Sequence, residues 1–253
     1  MLTSAREHYR EQQKLTALAL RDVRRHSAGG LSRLAQIIGA YQAAAIALTV
    51  GWTPAELREQ GIHAPAAGRV SAGALLTEPG AVVERMAKAQ SEATFDALVV
   101  SLVSDAGRTA AAVDMGSRPA LTGYVRSLNP PSCPRCAVLA GRVYRYSTGF
   151  SRHPGCDCLM TPTVESIGRE LTLDGTDAAL HGQVTGLSKG DQFALENGAD
   201  LGQVVNVRRR EAGLSIGSSV IERGGRLTPQ GVLRIASDRT EAISLLRRFG
   251  YIT

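Results

Sequence analysis

Apolar residues recur at helical spacing through the first half of the chain. Leu34, Ile37, Ile38, Tyr41, Ala45 and Leu48 follow i, i+3, i+4, i+7 steps, which puts one apolar stripe on a helix. No proline occurs before Pro54, and a preceding helix is expected from about Ser4 to Arg25, closed by Gly29 and Gly30. Thr53-Pro54-Ala55-Glu56 has the form of a capping box with proline at the first helical position. It predicts a new short helix that stops near Gly61.

The stretch from His63 to Pro79 is rich in Ala, Gly and Pro and reads as a loop. A long helix is expected after it, because Phe95, Leu98, Val99, Leu102, Val103, Ala106, Ala110 and Val113 keep helical spacing. Ser117-Arg118-Pro119 ends that run, since the residue before a proline disfavours the helical region. Beyond Pro119 the pattern shortens: residues 123–128 and 143–146 read as strand-like pieces between turns. The stretch from Ile167 to Thr185 is weakly patterned. Three short helices follow from local start signals: Lys189 to Glu196 after Ser188, Pro229 to Ala236 after Thr228, and Arg239 to Phe249 after Asp238, with Gly250 as a stop.

These elements predict a mainly α protein. Its expected parts are a helical domain over residues 1–119, a small α+β module stapled by Cys and His over 120–165, and a basic C-terminal segment with short helices over 166–253. The first residues are already charged where a secretory leader would be apolar, so export is not expected. The apolar run from Ile37 to Trp52 is shorter than the roughly 20 residues that cross a bilayer, so no membrane segment is expected.

Charge adds a partner class. The net charge of +6 is unevenly placed: the stretch from Arg208 to Arg248 alone carries an excess of five positive charges. Arg208, Arg209, Arg210, Arg247 and Arg248 are candidates for phosphate contact without base reading. The same arginines also suit a solvated face and helix C-termini.

The strongest chemical signal is the cysteine grouping. All four cysteines fall in Cys133-Pro134-Arg135-Cys136 and His153-Pro154-Gly155-Cys156-Asp157-Cys158. A C-x-x-C turn aims two sulfurs at one centre, and H-x-x-C-x-C supplies three more candidates. Four of Cys133, Cys136, His153, Cys156 and Cys158 could close a tetrahedral zinc site, structural because no position is left for a reactive water. Reduced buried thiols and disulfides are the other readings of the same residues. A zinc deaminase would need a His or Cys followed two residues later by Glu upstream of P-C-x-x-C, and that companion is missing.

Cys133-Pro134-Arg135-Cys136-Ala137-Val138-Leu139-Ala140-Gly141 followed by His153-Pro154-Gly155-Cys156-Asp157-Cys158 resembles the signature of MuF-type (phage Mu F-like) minor head proteins of tailed bacteriophages. Residues 188–191 with 197–206, and the C-terminal stretches Arg226-Leu227-Thr228-Pro229 and 245–252, are similar to actinobacteriophage members. The resemblance implies a minor capsid protein of head morphogenesis. It would be made in the host bacterial cytoplasm and kept in the virion, in the head interior or at the portal. Its implied partners are the portal protein, the major capsid or scaffold protein and packaged double-stranded DNA, with roles in DNA packaging or ejection. The family usually has Arg between the last two cysteines, where this chain has Asp157.

Two other functions compete, and the assembly reading itself assigns no catalytic residue. A capsid maturation protease of the serine hydrolase type would draw on the G-x-S-x-G strings around Ser188 and Ser215, with His181 near Ser188 as the pair to test. Neither string follows a buried strand as a nucleophile elbow requires, and Ser188 suits a helix N-cap. A nonspecific DNA-binding zinc-knuckle protein would use the cysteine cluster and the arginines.

Overall fold

The first helix, α1 (Thr3–Arg25), buries a stripe that is polar over its first four turns: Ser4, His8, Gln12 and Thr16 recur every four residues, followed by Ala19 and Val23. After a 3₁₀ turn (Ser27–Gly29), α2 runs unbroken from Gly30 to Glu59. The expected break at Thr53-Pro54 does not occur. Thr53 is not a cap, because its hydroxyl donates back to the Thr49 carbonyl at 3.1 Å inside the helix. Pro54 lies on the exposed side, while Thr53, Glu56 and Leu57 are buried around it. Burial of that last turn outweighs the ~3 kcal/mol that an interior proline costs. By length and composition alone this helix could cross a membrane. Here its Leu34, Ala35, Ile38, Ala45 and Ile46 are in the protein core.

This computed structural model describes residues 1–153, 156, 158–206 and 227–253. They form a mainly α-helical fold with an N-terminal helical stretch, a small three-stranded sheet in an α+β region, and short C-terminal helices. The stretch expected as a loop contains one turn of helix, α3 (Ala72–Leu75). The long helix expected next is two helices, α4 (Pro79–Ala87) and α5 (Glu92–Gly116). Ser91 starts α5 with a capping box shared with Thr94. Of the predicted α5 stripe, Val99, Leu102, Val103, Ala106 and Ala110 are buried, whereas Val113 is exposed and Ala111, Asp114 and Met115 point inward.

Contacts along the chain divide it into two units, Met1–Asn129 with Arg142–Thr172, and Pro130–Gly141 with Leu173–Thr253. In the first unit α1, α2, α4 and α5 enclose a core built on Val23, Leu34, Ile38, Val82, Met86, Val99 and Leu102. The sheet has order β2-β1-β3, from β1 (Gly123–Ser127), β2 (Tyr144–Arg145) and β3 (Leu159–Thr163), with both pairings antiparallel. Gly123 is required where β1 meets β2, because a Cβ there would collide with the Tyr144 carbonyl. β3 is not anticipated by the sequence pattern. It contains Pro162, which an edge strand tolerates. Its Met160 joins Tyr124, Tyr144, Leu57, Ala111 and Met115 in a second core. A short helix, α6 (Pro134–Ala140), precedes β2 in the chain, and α7 (Glu165–Leu171) follows β3.

The second unit holds α6 together with α8 (Gly175–Leu180), α9 (Lys189–Glu196), α10 (Leu201–Asn206), α11 (Pro229–Ile235) and α12 (Arg239–Arg248). The three helices expected from start signals are all present. Ser188 and Asp191 form a capping box on α9, Thr228 accepts from Gly231 N on α11, and Asp238 accepts from Glu241 N at 2.8 Å on α12. Gly250, at φ +69°, ends the last helix. Packing of α9 on α11 depends on Gly190, where a Cβ would stand 2.5 Å from the Gln230 backbone. Tyr251 donates from its hydroxyl to the Leu227 carbonyl at 2.6 Å and closes the C-terminus onto the start of α11.

Candidate metal centre

Cys133 is the N-cap of α6, with Pro134 at the first helical position. Its Sγ accepts from Cys136 N at 3.3 Å, the N–H to sulfur contact that a C-x-x-C turn makes when it presents both sulfurs to one side. Cys136 is buried and Cys133 partly exposed.

The other three candidates follow Phe150 and lead into β3. Cys156 and Cys158 stand just before β3, with Cys156 N donating to the His153 carbonyl at 3.1 Å. Their sulfurs are 2.9 Å apart, and none of the four cysteines is joined in a disulfide. Tetrahedral zinc–sulfur bonds of ~2.3 Å set ligand sulfurs ~3.8 Å apart. The pair would therefore open by about 1 Å to share an ion. Cys156 and Cys158 are both buried and His153 is partly exposed. Asp157, singled out by the family comparison, lies outside the described residues.

Two buried arginines hold this segment. Arg108 of α5 donates from Nε to the Cys158 carbonyl at 3.0 Å and from Nη2 to the Cys156 carbonyl at 2.5 Å, while Nη1 pairs with Asp105 at 2.8 Å. Asp105 also pairs with Arg152. Arg126 of β1 sits opposite Met160 in the strand register, and Cys158 immediately precedes β3. Arg126 Nη1 is 3.4 Å from Cys158 Sγ, and Nη2 donates to the Ser151 carbonyl. The guanidinium stacks 3.8 Å from the Phe150 ring centroid. Tyr124 stacks on Tyr144 at 5.0 Å and donates to the Thr148 and Gly149 carbonyls, each at 3.2 Å. Burial raises the pKa of its phenol, so it remains a donor.

The five sequence-predicted ligands fall in both units: Cys133 and Cys136 form one sulfur pair in the second, and Cys156 and Cys158 form another in the first, with His153 three residues before Cys156. Three thiols or more with an imidazole form a soft donor set that suits zinc and not a hard cation. Ligand thiols bind deprotonated, and the buried guanidinium beside Cys158 offers a charge to balance one of them. The arginine contribution escaped sequence reading, because nothing in the local pattern distinguishes Arg108 or Arg126 from a surface arginine.

The other candidates stand apart from this chemistry. Arg247 and Arg248 are exposed in the last turn of α12, and Arg208, Arg209 and Arg210 lie outside the described residues. Ser215 does as well. Ser188 gives its hydroxyl proton to Asp191 at 2.7 Å as part of the α9 cap. His181 is exposed, its Nδ1 within 2.9 Å of the Asp177 carbonyl and 3.2 Å of the Asp177 carboxylate, and it makes no hydrogen bond to Ser188.

A second polar group, passed over by the sequence reading, is buried among α1, α2 and α5. His8 Nδ1 is 2.8 Å from Glu56 Oε1, and His8 Nε2 is 3.3 Å from Thr49 Oγ1. Trp52 stacks on the His8 ring at 6.3 Å. The sequence signal was available in retrospect: His8 and Gln12 share one face of α1, and Thr49 and Glu56 one face of α2. Compared with known proteins, the chain matches no family model, no curated protein and no solved structure.

Proposed function

We propose that this protein is a non-catalytic assembly component whose α+β region is stapled by one structural zinc ion, and that it serves as a minor head protein of a tailed bacteriophage. The observation that carries the metal reading is the pair of buried sulfurs of Cys156 and Cys158, 2.9 Å apart beside the Arg126 guanidinium, with the C-x-x-C turn of Cys133 and Cys136 offering a second pair. Cys133 is the favoured fourth ligand, because its sulfur already accepts an amide N–H in the manner of a zinc knuckle; His153 is the alternative. A four-ligand zinc supplies folding energy and no reactive water.

Support for the phage assignment is the motif resemblance around residues 133–141 and 153–158. On this reading the helical half docks on portal or capsid protein, and the basic C-terminal stretch lies against packaged DNA. Exposed Arg247 and Arg248 suit phosphate contact.

The test is metal content by elemental mass spectrometry on protein purified without chelator, with Cys136→Ser, Cys133→Ser and His153→Ala alongside. The expected result is one zinc per chain, lost with Cys136→Ser. Retention in only one of the other two variants identifies the fourth ligand. Parent protein that is metal-free and unaffected by chelator would overturn the staple. Separately, binding to duplex DNA should weaken steeply with salt and be reduced by Arg247→Ala with Arg248→Ala; no binding at low salt would overturn the DNA contact.

A further inference from the structure

The polar stripe of α1 is buried, and one of its members has nothing to bond among the described residues. Gln12 is 2% exposed, and neither its Oε1 nor its Nε2 has a hydrogen-bond partner there. Leaving a buried amide unbonded costs about 1–3 kcal/mol per group. Gln12 borders an internal cavity of about 10 Å³, also lined by His8, Thr49, Ser104, Gly107 and Arg108. That is room for one water molecule.

The space exists because residue 107 is glycine. A Cβ there would lie 2.9 Å from Thr49 Oγ1 and 3.4 Å from Gln12 Oε1. Both polar groups therefore face the same point next to the bare Gly107 backbone. We infer that this cavity is a binding site for a single structural water, which bridges Gln12 of α1 to Thr49 of α2.

The proton directions of one tautomer suit that ligand. With the proton on His8 Nδ1 donated to Glu56, His8 Nε2 can accept the Thr49 hydroxyl proton. Thr49 Oγ1 then turns its lone pairs toward the cavity and can accept from water. Gln12 offers both an acceptor and a donor, so the water gains the two to four partners that a buried water needs. Carboxylate, imidazole and hydroxyl follow the order of a hydrolase triad. Here, however, the space before Thr49 Oγ1 admits a water and not an acyl substrate. The water and the His8–Glu56 pair together explain how a helix with four polar residues on its inner face is held against α2.

The experiment is a high-resolution crystal structure of the full chain, with a count of long-lived internal waters by magnetic relaxation dispersion on the parent and on Gly107→Ala. The expected result is one ordered water at hydrogen-bond distance from Gln12 and Thr49, and one fewer long-lived water in the variant. If Gly107→Ala fails to fold, Gln12→Leu provides the same comparison by filling the space with methyl groups. Density showing Gln12 bonded directly to protein, or a dry cavity with an unchanged water count, overturns the site. So does labelling of Thr49 by a small fluorophosphonate, because that requires room for a substrate.

Discussion

Arg126 Nη1 lies 3.4 Å from Cys158 Sγ, with the guanidinium stacked on Phe150 and its other arm on the Ser151 carbonyl. One buried cation thus bonds the backbone before His153 and touches the last of the candidate ligands. Strand register helps to bring this about: Arg126 opposes Met160, and Cys158 immediately precedes β3. A metal site is only as well formed as the groups that orient its ligands.

On the proposed zinc reading, replacing Arg126 should therefore act on the metal as well as on the fold. Arg126→Met is expected to weaken zinc affinity by about 10- to 100-fold, the usual cost of losing a group that orients a ligand. Arg126→Lys should recover only part of it, because an ammonium cannot stack and bond at two points like the planar fork. Competition with a chromophoric chelator measures both; equal affinity in parent and Arg126→Met would show that the arginine only packs.

The start of α1 is capped from a distance by Glu59, which accepts from Thr3 N at 2.7 Å, Ser4 N at 2.8 Å and Ser4 Oγ at 2.6 Å. The Ser4 hydroxyl and amide bonds hold its pKa below the ordinary glutamate value. A group with a depressed folded-state pKa contributes stability above its unfolded pKa, ~4.3, and loses that contribution as pH falls through the folded value. Urea midpoints of the parent should accordingly fall more on acidification than those of Glu59→Gln. Parallel curves would mean that the carboxylate is not bonded in solution.

Ser188 is a cap and not a nucleophile in this fold, being tied to Asp191 in both directions. Ser188→Ala should lower unfolding free energy by ~1 kcal/mol, and Ser188→Asp should recover most of it, as caps do. Chemical denaturation decides this, and an alanine variant as stable as the parent would contradict the role.

Gly190 lets the backbones of α9 and α11 approach closely. In Gly190→Ala the new methyl meets main-chain atoms that cannot rotate away, so a loss of about 1–3 kcal/mol is expected, typical of overpacking. Thermal unfolding would register it, and an unchanged transition would mean that the helices separate at no cost.

Much of the fold was legible because it rests on short-range signals. Ser188, Thr228 and Asp238 each start a helix by bonding an amide three residues on, a choice made within one turn and visible in a few letters. The apolar stripe of α5 is a periodic feature, and the strand at 123–127 is a short run between turn residues. The five Cys and His candidates were also apparent, because these residue types are chemically distinctive and lie close together in the chain.

Tertiary structure alone decided the rest. Thr53-Pro54 has a start signal, yet α2 continues through it because burial of Glu56 and Leu57 outweighs a local preference. β3 lacks an alternating pattern, since both of its faces are buried and only its pairing with β1 makes it a strand. Arg126 and Cys158 are 32 residues apart, and His8 and Glu56 are 48 apart. Partnerships of that range depend on which faces fold against each other, and a residue's own neighbours in the chain carry no record of it.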